Sequence, residues 1–198
     1  MSPMKHLKTF NTHILAGKYK GKAISIPAID TTRSSKSILK ESFFNTLQFD
    51  IIDKNFVEVF AGSGSVGLEA LSRGAEHAYF IEKNHTALVA LKNNIKNIDP
   101  LNATVLSGDS FEKFATIYDI IKAKNIKTYF YFDPPFSIRE GMEEIYQKTL
   151  ALIAKIEPDI CEMVIVEHMS NLELPSTIGQ LSLWKTKKFG KSTLSYYR

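Results

Sequence analysis

Asn55-Phe56-Val57-Glu58-Val59-Phe60-Ala61-Gly62-Ser63-Gly64-Ser65-Val66-Gly67 passes from an apolar strand into a glycine turn, and Leu68 to Arg73 continues as a helix. A strand, a glycine turn and a helix in that order form the first unit of an open α/β sheet that binds a nucleotide cofactor. Glycines allow the sharp turn and the close approach of a ligand, and the helix that starts there presents unpaired amide donors. Gly62, Gly64 and Gly67 have the spacing of the dinucleotide fingerprint. Glu82 stands about 20 residues further on, at the end of a second strand over His77 to Ile81. A carboxylate there accepts from ribose hydroxyls, whether the ribose belongs to NAD or to S-adenosylmethionine. Glu58 favours the second: a buried carboxylate at the first strand's end suits the amino and sulfonium cations of the methyl donor and repels a pyrophosphate.

The second informative stretch is Tyr129-Phe130-Tyr131-Phe132-Asp133-Pro134-Pro135-Phe136. Its aromatic run reads as a buried strand, and proline cannot continue the ladder, so Asp133 falls at the strand's carboxyl edge. That edge is where ligands bind in an open α/β sheet. Pro134 and Pro135 fix the backbone after Asp133, and Phe136 offers a flat face, a combination able to hold a planar ring bearing an amino group. A plain strand end with a turn is the alternative for this motif taken alone.

Between and around these motifs, strand-like and helix-like stretches alternate. Helices are expected near 35–47, 84–97, 110–123 and 139–155, and strands near 103–106 and 163–167. Two strands meeting at Gly190 close the chain over 181–197. The pattern predicts a mostly parallel sheet with right-handed crossovers and an antiparallel end. Near the start, Ile14 to Pro27 reads as a hairpin turning at Gly17 and Gly21, with Lys18, Lys20 and Lys22 at its tip. Asp109, after Gly108, could accept from an adenine amino group, cap the helix that starts at Ser110, or do both.

Composition narrows the partners. At 198 residues and 44% hydrophobic content the chain can bury a substantial single core. The lone Cys161 sits among apolar residues and reads as a core thiol in a reducing cytoplasm. No run approaches a signal peptide or a membrane span, and the five histidines show no ligand spacing, so neither membrane nor metal is expected. Residues 1–50 carry eight Lys/Arg against three Asp/Glu, residues 51–184 carry 12 against 18, and residues 185–198 carry five against none. Two basic ends are the footprint of a polyanion.

Phe60-Ala61-Gly62-Ser63-Gly64, Leu68-Glu69-Ala70-Leu71-Ser72-Arg73-Gly74-Ala75 and Asp133-Pro134-Pro135-Phe136 together resemble the bacterial methyltransferases that modify the exocyclic N2 amine of a guanine in 16S ribosomal RNA. The likeness extends to Gly17, Lys20-Gly21-Lys22, Pro27, residues 33–45, Lys188-Phe189-Gly190 and Tyr196. Two departures stand out: Glu58 replaces a common Asp, and Arg33-Ser34-Ser35-Lys36-Ser37-Ile38 replaces Arg-Pro-Thr followed by Asp-Arg. The resemblance implies a Rossmann-like class I S-adenosylmethionine-dependent methyltransferase with a seven-stranded, mostly parallel sheet at 51–198. It implies a basic hairpin-and-helix extension at 1–50 that contacts RNA. It also implies a donor site of Glu58, Phe60, Ala61, Gly62, Ser63, Gly64, Glu82, Lys83, Asp109 and Ser110. Asp133, Pro134, Pro135 and Phe136 would form the catalytic motif, and Lys18, Lys20, Lys22, Arg33, Lys36 and Lys188 would contact RNA. Ribosomal RNA or a small-subunit assembly intermediate is the implied partner of an enzyme expected to act as a monomer. DNA adenine or protein glutamine amide as acceptor, an NAD-binding oxidoreductase, and a noncatalytic RNA-binding module are the competing readings.

Overall fold

The computed structural model describes residues 9–27, 33–47, 50–135 and 143–198, and within these the side chains of 33–37 and 143 fall outside the description. Phe136 therefore lies outside the described residues, and so do the side chains of Arg33 and Lys36. Along the chain come β1 (Thr9–His13), β2 (Ala23–Pro27), α1 (Arg33–Leu47), β3 (Asn55–Glu58), α2 (Ser65–Ser72), β4 (His77–Glu82) and α3 (His85–Ile98). They are followed by β5 (Ala103–Ser107), α4 (Ser110–Lys124), β6 (Thr128–Phe132), α5 (Glu143–Ile153) and β7 (Cys161–Met169). The chain closes with β8 (Thr177–Ile178), β9 (Leu181–Phe189) and β10 (Ser192–Tyr197).

One sheet runs β5-β4-β3-β6-β7-β10-β9-β8. Its first five strands are parallel, and β10, β9 and β8 add antiparallel neighbours. The sheet thus has eight strands rather than the expected seven. The additional strand is the two-residue β8, too short to show alternation in sequence.

All five residues of β6 are buried, as a central parallel strand covered on both faces requires. Tyr129 and Tyr131 join one apolar cluster with Phe43, Phe44 and Phe56, under α1, α2 and α3. Phe130 and Phe132 join the other with Phe114, Ile117 and Ile153, under α4 and α5. Side-chain alternation with period two thus splits one aromatic run between two cores, each ring contributing about 2–3 kcal/mol by burial.

The separate β1–β2 pair is antiparallel, Thr9 opposite Pro27 and His13 opposite Ala23. Its connecting loop is fastened to the ends of α2 and α3. Lys18 N donates to Ser72 O at 2.7 Å, Tyr19 N to Ser72 Oγ at 2.9 Å, and the Tyr19 hydroxyl to Asp99 Oδ2 at 2.9 Å. Gly17 has φ +85°, and a Cβ there would lie 1.7 Å from Ser72 O, so only glycine fits.

Burial by itself would raise the Asp99 pKa, but hydrogen bonds from Tyr19 and Asn102 outweigh it and hold the group below its ordinary 3.8. A depressed carboxyl stabilises the fold above its unfolded pKa and loses that contribution as pH falls through the folded one. Tyr19→Phe is accordingly expected to cost about 1 kcal/mol near neutral pH. The deficit should shrink below about pH 4. Urea titrations of both proteins across that range measure it, and a pH-independent difference would remove Asp99 from the account.

Candidate functional site

Because β3 and β6 are adjacent and parallel, with Glu58 opposite Tyr131, the turn after β3 and the Asp-Pro-Pro segment after β6 leave the sheet at the same rim. Val59 N donates to Tyr131 O at 3.0 Å and keeps the two exits side by side. Neighbouring strands are about 4.8 Å apart, so groups carried on these turns are within reach of a shared reaction centre.

The glycine turn is built as its sequence demands. Gly64 N closes on Ala61 O at 2.7 Å, and Gly64, at φ +77°, is the N-cap of α2. Gly62 also takes a positive φ, +53°, yet a Cβ there would meet no atom within 4 Å. Open space therefore adjoins Gly62, where a ligand could approach main chain. Glu82, at the end of β4, accepts from Gly62 N at 2.6 Å and from Asn84 N at 2.6 Å. A carboxylate has about four acceptor positions, so lone pairs remain for ribose hydroxyls. Glu58, 4% exposed, accepts from Gly67 N at 2.8 Å.

These two bonds discriminate between cofactors. Two of the three fingerprint glycines have their amides engaged by carboxylates, and a pyrophosphate would face those charges instead of free donors. A cationic sulfonium and α-amino group suit the same surroundings. The site's residues fit S-adenosylmethionine and disfavour NAD.

Asp109 caps α4, its Oδ1 accepting from Phe111 N at 2.9 Å, and pairs with Lys83 Nζ at 3.1 Å. Burial would raise its pKa, but the Phe111 amide and Lys83 prevail and hold it low. Of the two roles read for Asp109, the cap is made. Ser110 is buried and its hydroxyl donates to Val59 O, joining α4 to the turn after β3. Phe60 packs edge-on to Phe111 at 5.6 Å between ring centroids. Ala61 and Ser63 are buried within the turn.

On the acceptor side, Asp133 is half-buried, Pro134 is buried and Pro135 is exposed. With Phe132 opposite Val166, Asp133 stands beside Glu167 of β7. Glu167 accepts from the buried Tyr131 hydroxyl at 2.9 Å. Burial first, then the Glu167 and Asp133 carboxylates, push the Tyr131 phenol well above its ordinary pKa. Tyr146 of α5 is raised as well, chiefly by burial, with Asp133 and Glu167 adding. Both phenols stay protonated beside the two carboxylates.

The basic candidates do not all collect at this rim. Lys188 is the penultimate residue of β9, which runs in the direction of β7, and so stands at the rim of Asp133. Lys18 and Lys22 belong to the loop docked at the far ends of α2 and α3, where Lys22 Nζ reaches Asn97 O at 3.0 Å. Lys20 lies in that loop too. The eight residues of α2, about 12 Å, separate Ser72, where Lys18 docks, from the donor turn at the start of that helix.

Asn94, which sequence reading passed over, links the two regions. Its Nδ2 donates to Ser25 O and Ser63 O, both at 2.9 Å, and its Oδ1 accepts from Ser25 N at 2.9 Å. A single buried amide thereby ties β2 to the donor turn. The available signal was a polar residue within the apolar series Leu88, Leu91, Ile95 and Ile98 of α3.

Residues 12–198 match the family described as "Conserved hypothetical protein 95". Ribosomal RNA small subunit methyltransferase D of Escherichia coli (strain K12) is 30% identical over 203 residues, covering all of this chain and 95% of that protein. Among solved structures, the Escherichia coli protein yhhF superposes with a TM-score of 0.72 at 26% identity, covering 95% of this chain and 97% of that one. Thermus thermophilus protein TTHA0928 gives 0.68 at 26%, covering 93% and 98%. SMU.776, solved complexed with SAH, shares the fold at 11% identity, with a TM-score of 0.67 over all of this chain and 57% of that one. The architecture is that of the class I S-adenosylmethionine-dependent methyltransferases, and the chain belongs to the ribosomal RNA small subunit methyltransferase D family.

Proposed function

We propose that this chain transfers a methyl group from S-adenosylmethionine to the exocyclic N2 amine of a guanine in small-subunit ribosomal RNA. Methylation of ribosomal RNA with that donor is the activity its family membership supports. The observation carrying the reading is the shared rim: the turn at 59–64 and Asp133-Pro134-Pro135 leave adjacent parallel strands side by side.

Bound in the turn, the donor supplies an electrophilic methyl carbon on sulfur. The chain's residues do the rest by placement. The guanine amine is a weak nucleophile because its lone pair is delocalised into the ring. Accepting its N–H groups on the Asp133 carboxylate and the Pro134 carbonyl favours the pyramidal nitrogen that attack requires. As the N–C bond forms and the C–S bond breaks, the surplus proton on nitrogen passes to Asp133 or to water. Phe136 would stack on the base, which must leave its helix or be unpaired to enter. Glu58 and Glu82 would hold the donor, and the hairpin and α1, with Arg33, Lys36 and Lys188, would meet the RNA backbone.

Mapping modified nucleotides in small-subunit RNA from cells with and without this protein tests the proposal. One N2-methylguanosine should disappear in its absence and return with the wild-type chain. An unchanged set of small-subunit RNA modifications would overturn the proposal and move the acceptor to DNA adenine or a protein glutamine.

A further inference from the structure

A pocket of about 300 Å³, lined by both polar and apolar side chains, lies beneath the segment after β7, on the α4/α5 face of β7, β10 and β9. Its floor is the buried pair His168 and Ser195. His168 Nδ1 faces Met169 O at 3.0 Å and Nε2 faces Ser195 Oγ at 2.8 Å. A carbonyl oxygen only accepts, so Nδ1 carries the proton and Nε2 receives the Ser195 hydroxyl. The Ser195 lone pairs are thereby left for a donor in the pocket. Ser170 Oγ and Thr193 Oγ1 lie 2.8 Å apart on another wall, and one donates to the other. Leu172, Leu174 and Leu183 complete an apolar side.

Lys188 is the pocket's one cation, exposed and without an ion pair among the described residues. Lys191, also exposed, follows in the β9–β10 turn, and its carbonyl accepts from Ser170 N at 2.9 Å. Glu173, exposed on the opposing segment, would turn a phosphate toward the Lys188 side. Hydroxyl donors and acceptors, an apolar wall and a cation at one edge together match a nucleotide unit: base, ribose and phosphate.

The location agrees. β7 follows β6 in the sheet, β10 follows β7, and β9 follows β10. At about 4.8 Å per strand, Ser195 lies about 10 Å across the sheet from β6, and Lys188 about 14 Å. Enzymes that extract a base from its stack read the nucleotides flanking it. Resting on the proposed function, we infer that this pocket receives a single-stranded nucleotide flanking the target guanine, its phosphate on Lys188. The RNA would then cross the rim from β6 toward β9.

The test uses the full-length protein and small-subunit RNA carrying single 4-thiouridines at successive positions around the methylated guanine. Irradiation should join one flanking position to peptides within 168–195. Two exposed positions supply the variants. Lys188→Ala should raise KM for RNA several-fold and reduce the dependence of log affinity on log salt by about 0.7. Thr186→Trp, which fills the pocket from β9, should raise KM with the salt dependence unchanged. Donor affinity should stay at the wild-type value in both. Wild-type methyl transfer accompanied by cross-links elsewhere and unaltered KM in both variants overturns the pocket and leaves the proposed function standing. Absence of transfer by the wild-type protein overturns the function itself, and the pocket with it.

Discussion

Asp133→Ala is expected to reduce methyl transfer by at least roughly 100- to 1,000-fold, the scale on which removing one positioned polar partner slows a reaction that depends on placement. Donor affinity should stay within a few-fold of wild type, because Glu58 and Glu82, which line the glycine turn, belong to β3 and β4 rather than β6. Equilibrium binding of S-adenosylmethionine and single-turnover transfer to RNA give the two numbers. Asp133→Asn separates the roles of the carboxylate further. An amide oxygen still accepts one amine N–H, so positioning would survive in part while proton acceptance is lost. A variant that retains most activity would assign the carboxylate to positioning, with water taking the proton, whereas one as impaired as Asp133→Ala would assign it to proton removal. Loss of donor binding in Asp133→Ala would instead make the residue a support for the turn, and the acceptor pocket would have to be sought elsewhere.

How much of this was legible before the fold was known depended on whether the signal was local. Residues 55–67 and 129–135 each hold strand, turn and chemistry in one short continuous stretch, and the structure places both at one rim. That the first five strands run parallel followed from their alternation with helices, while their order in the sheet did not. What the sequence left open was decided by polar contacts between distant positions. Hairpin residues reach α2 across 53 or 54 positions, through Leu15 and Ala16 to Glu69, and α3 across 69, through Ser25 to Asn94. Nothing in the lysine-rich loop announces that it docks at the far end of α2 rather than beside the donor. Asp109 was ambiguous for a different reason, since one carboxylate can serve a helix end and a ligand alike. The two-residue β8 carries no periodicity from which to read it.

Glu69→Ala should be among the most destabilising substitutions in the chain, costing about 3–5 kcal/mol of a total that for such domains is about 5–15 kcal/mol. Glu69 is fully buried in α2 and meets four donors. Leu15 N lies at 2.8 Å, Ala16 N at 3.1 Å, Lys40 Nζ at 3.3 Å and Arg73 Nε at 2.8 Å. Removing it leaves the Lys40 ammonium, itself 4% exposed, with the His13 carbonyl but no counter-charge in contact, and strands two hairpin amides. Replacing both charges, Lys40→Met with Glu69→Leu, should recover the part due to the ammonium left without a counter-charge. It should not restore wild-type stability, because each unpaired amide still costs about 1–3 kcal/mol. Lys40 adds a pH signature. Burial lowers its pKa from 10.5 more than Glu69 raises it, and loss of Glu69 would lower it further. A lysine with a depressed folded pKa binds fewer protons folded than unfolded, so stability rises with pH between the two values. That rise begins at lower pH in Glu69→Ala, and its deficit should narrow as pH climbs toward 10.5. Urea midpoints from neutral to alkaline pH measure both effects. A loss under about 1 kcal/mol would mean that the hairpin is held by its apolar contacts, with Ile14 and Ile24 in the core they share with Phe44 and Leu71 sufficient without the ionic cluster.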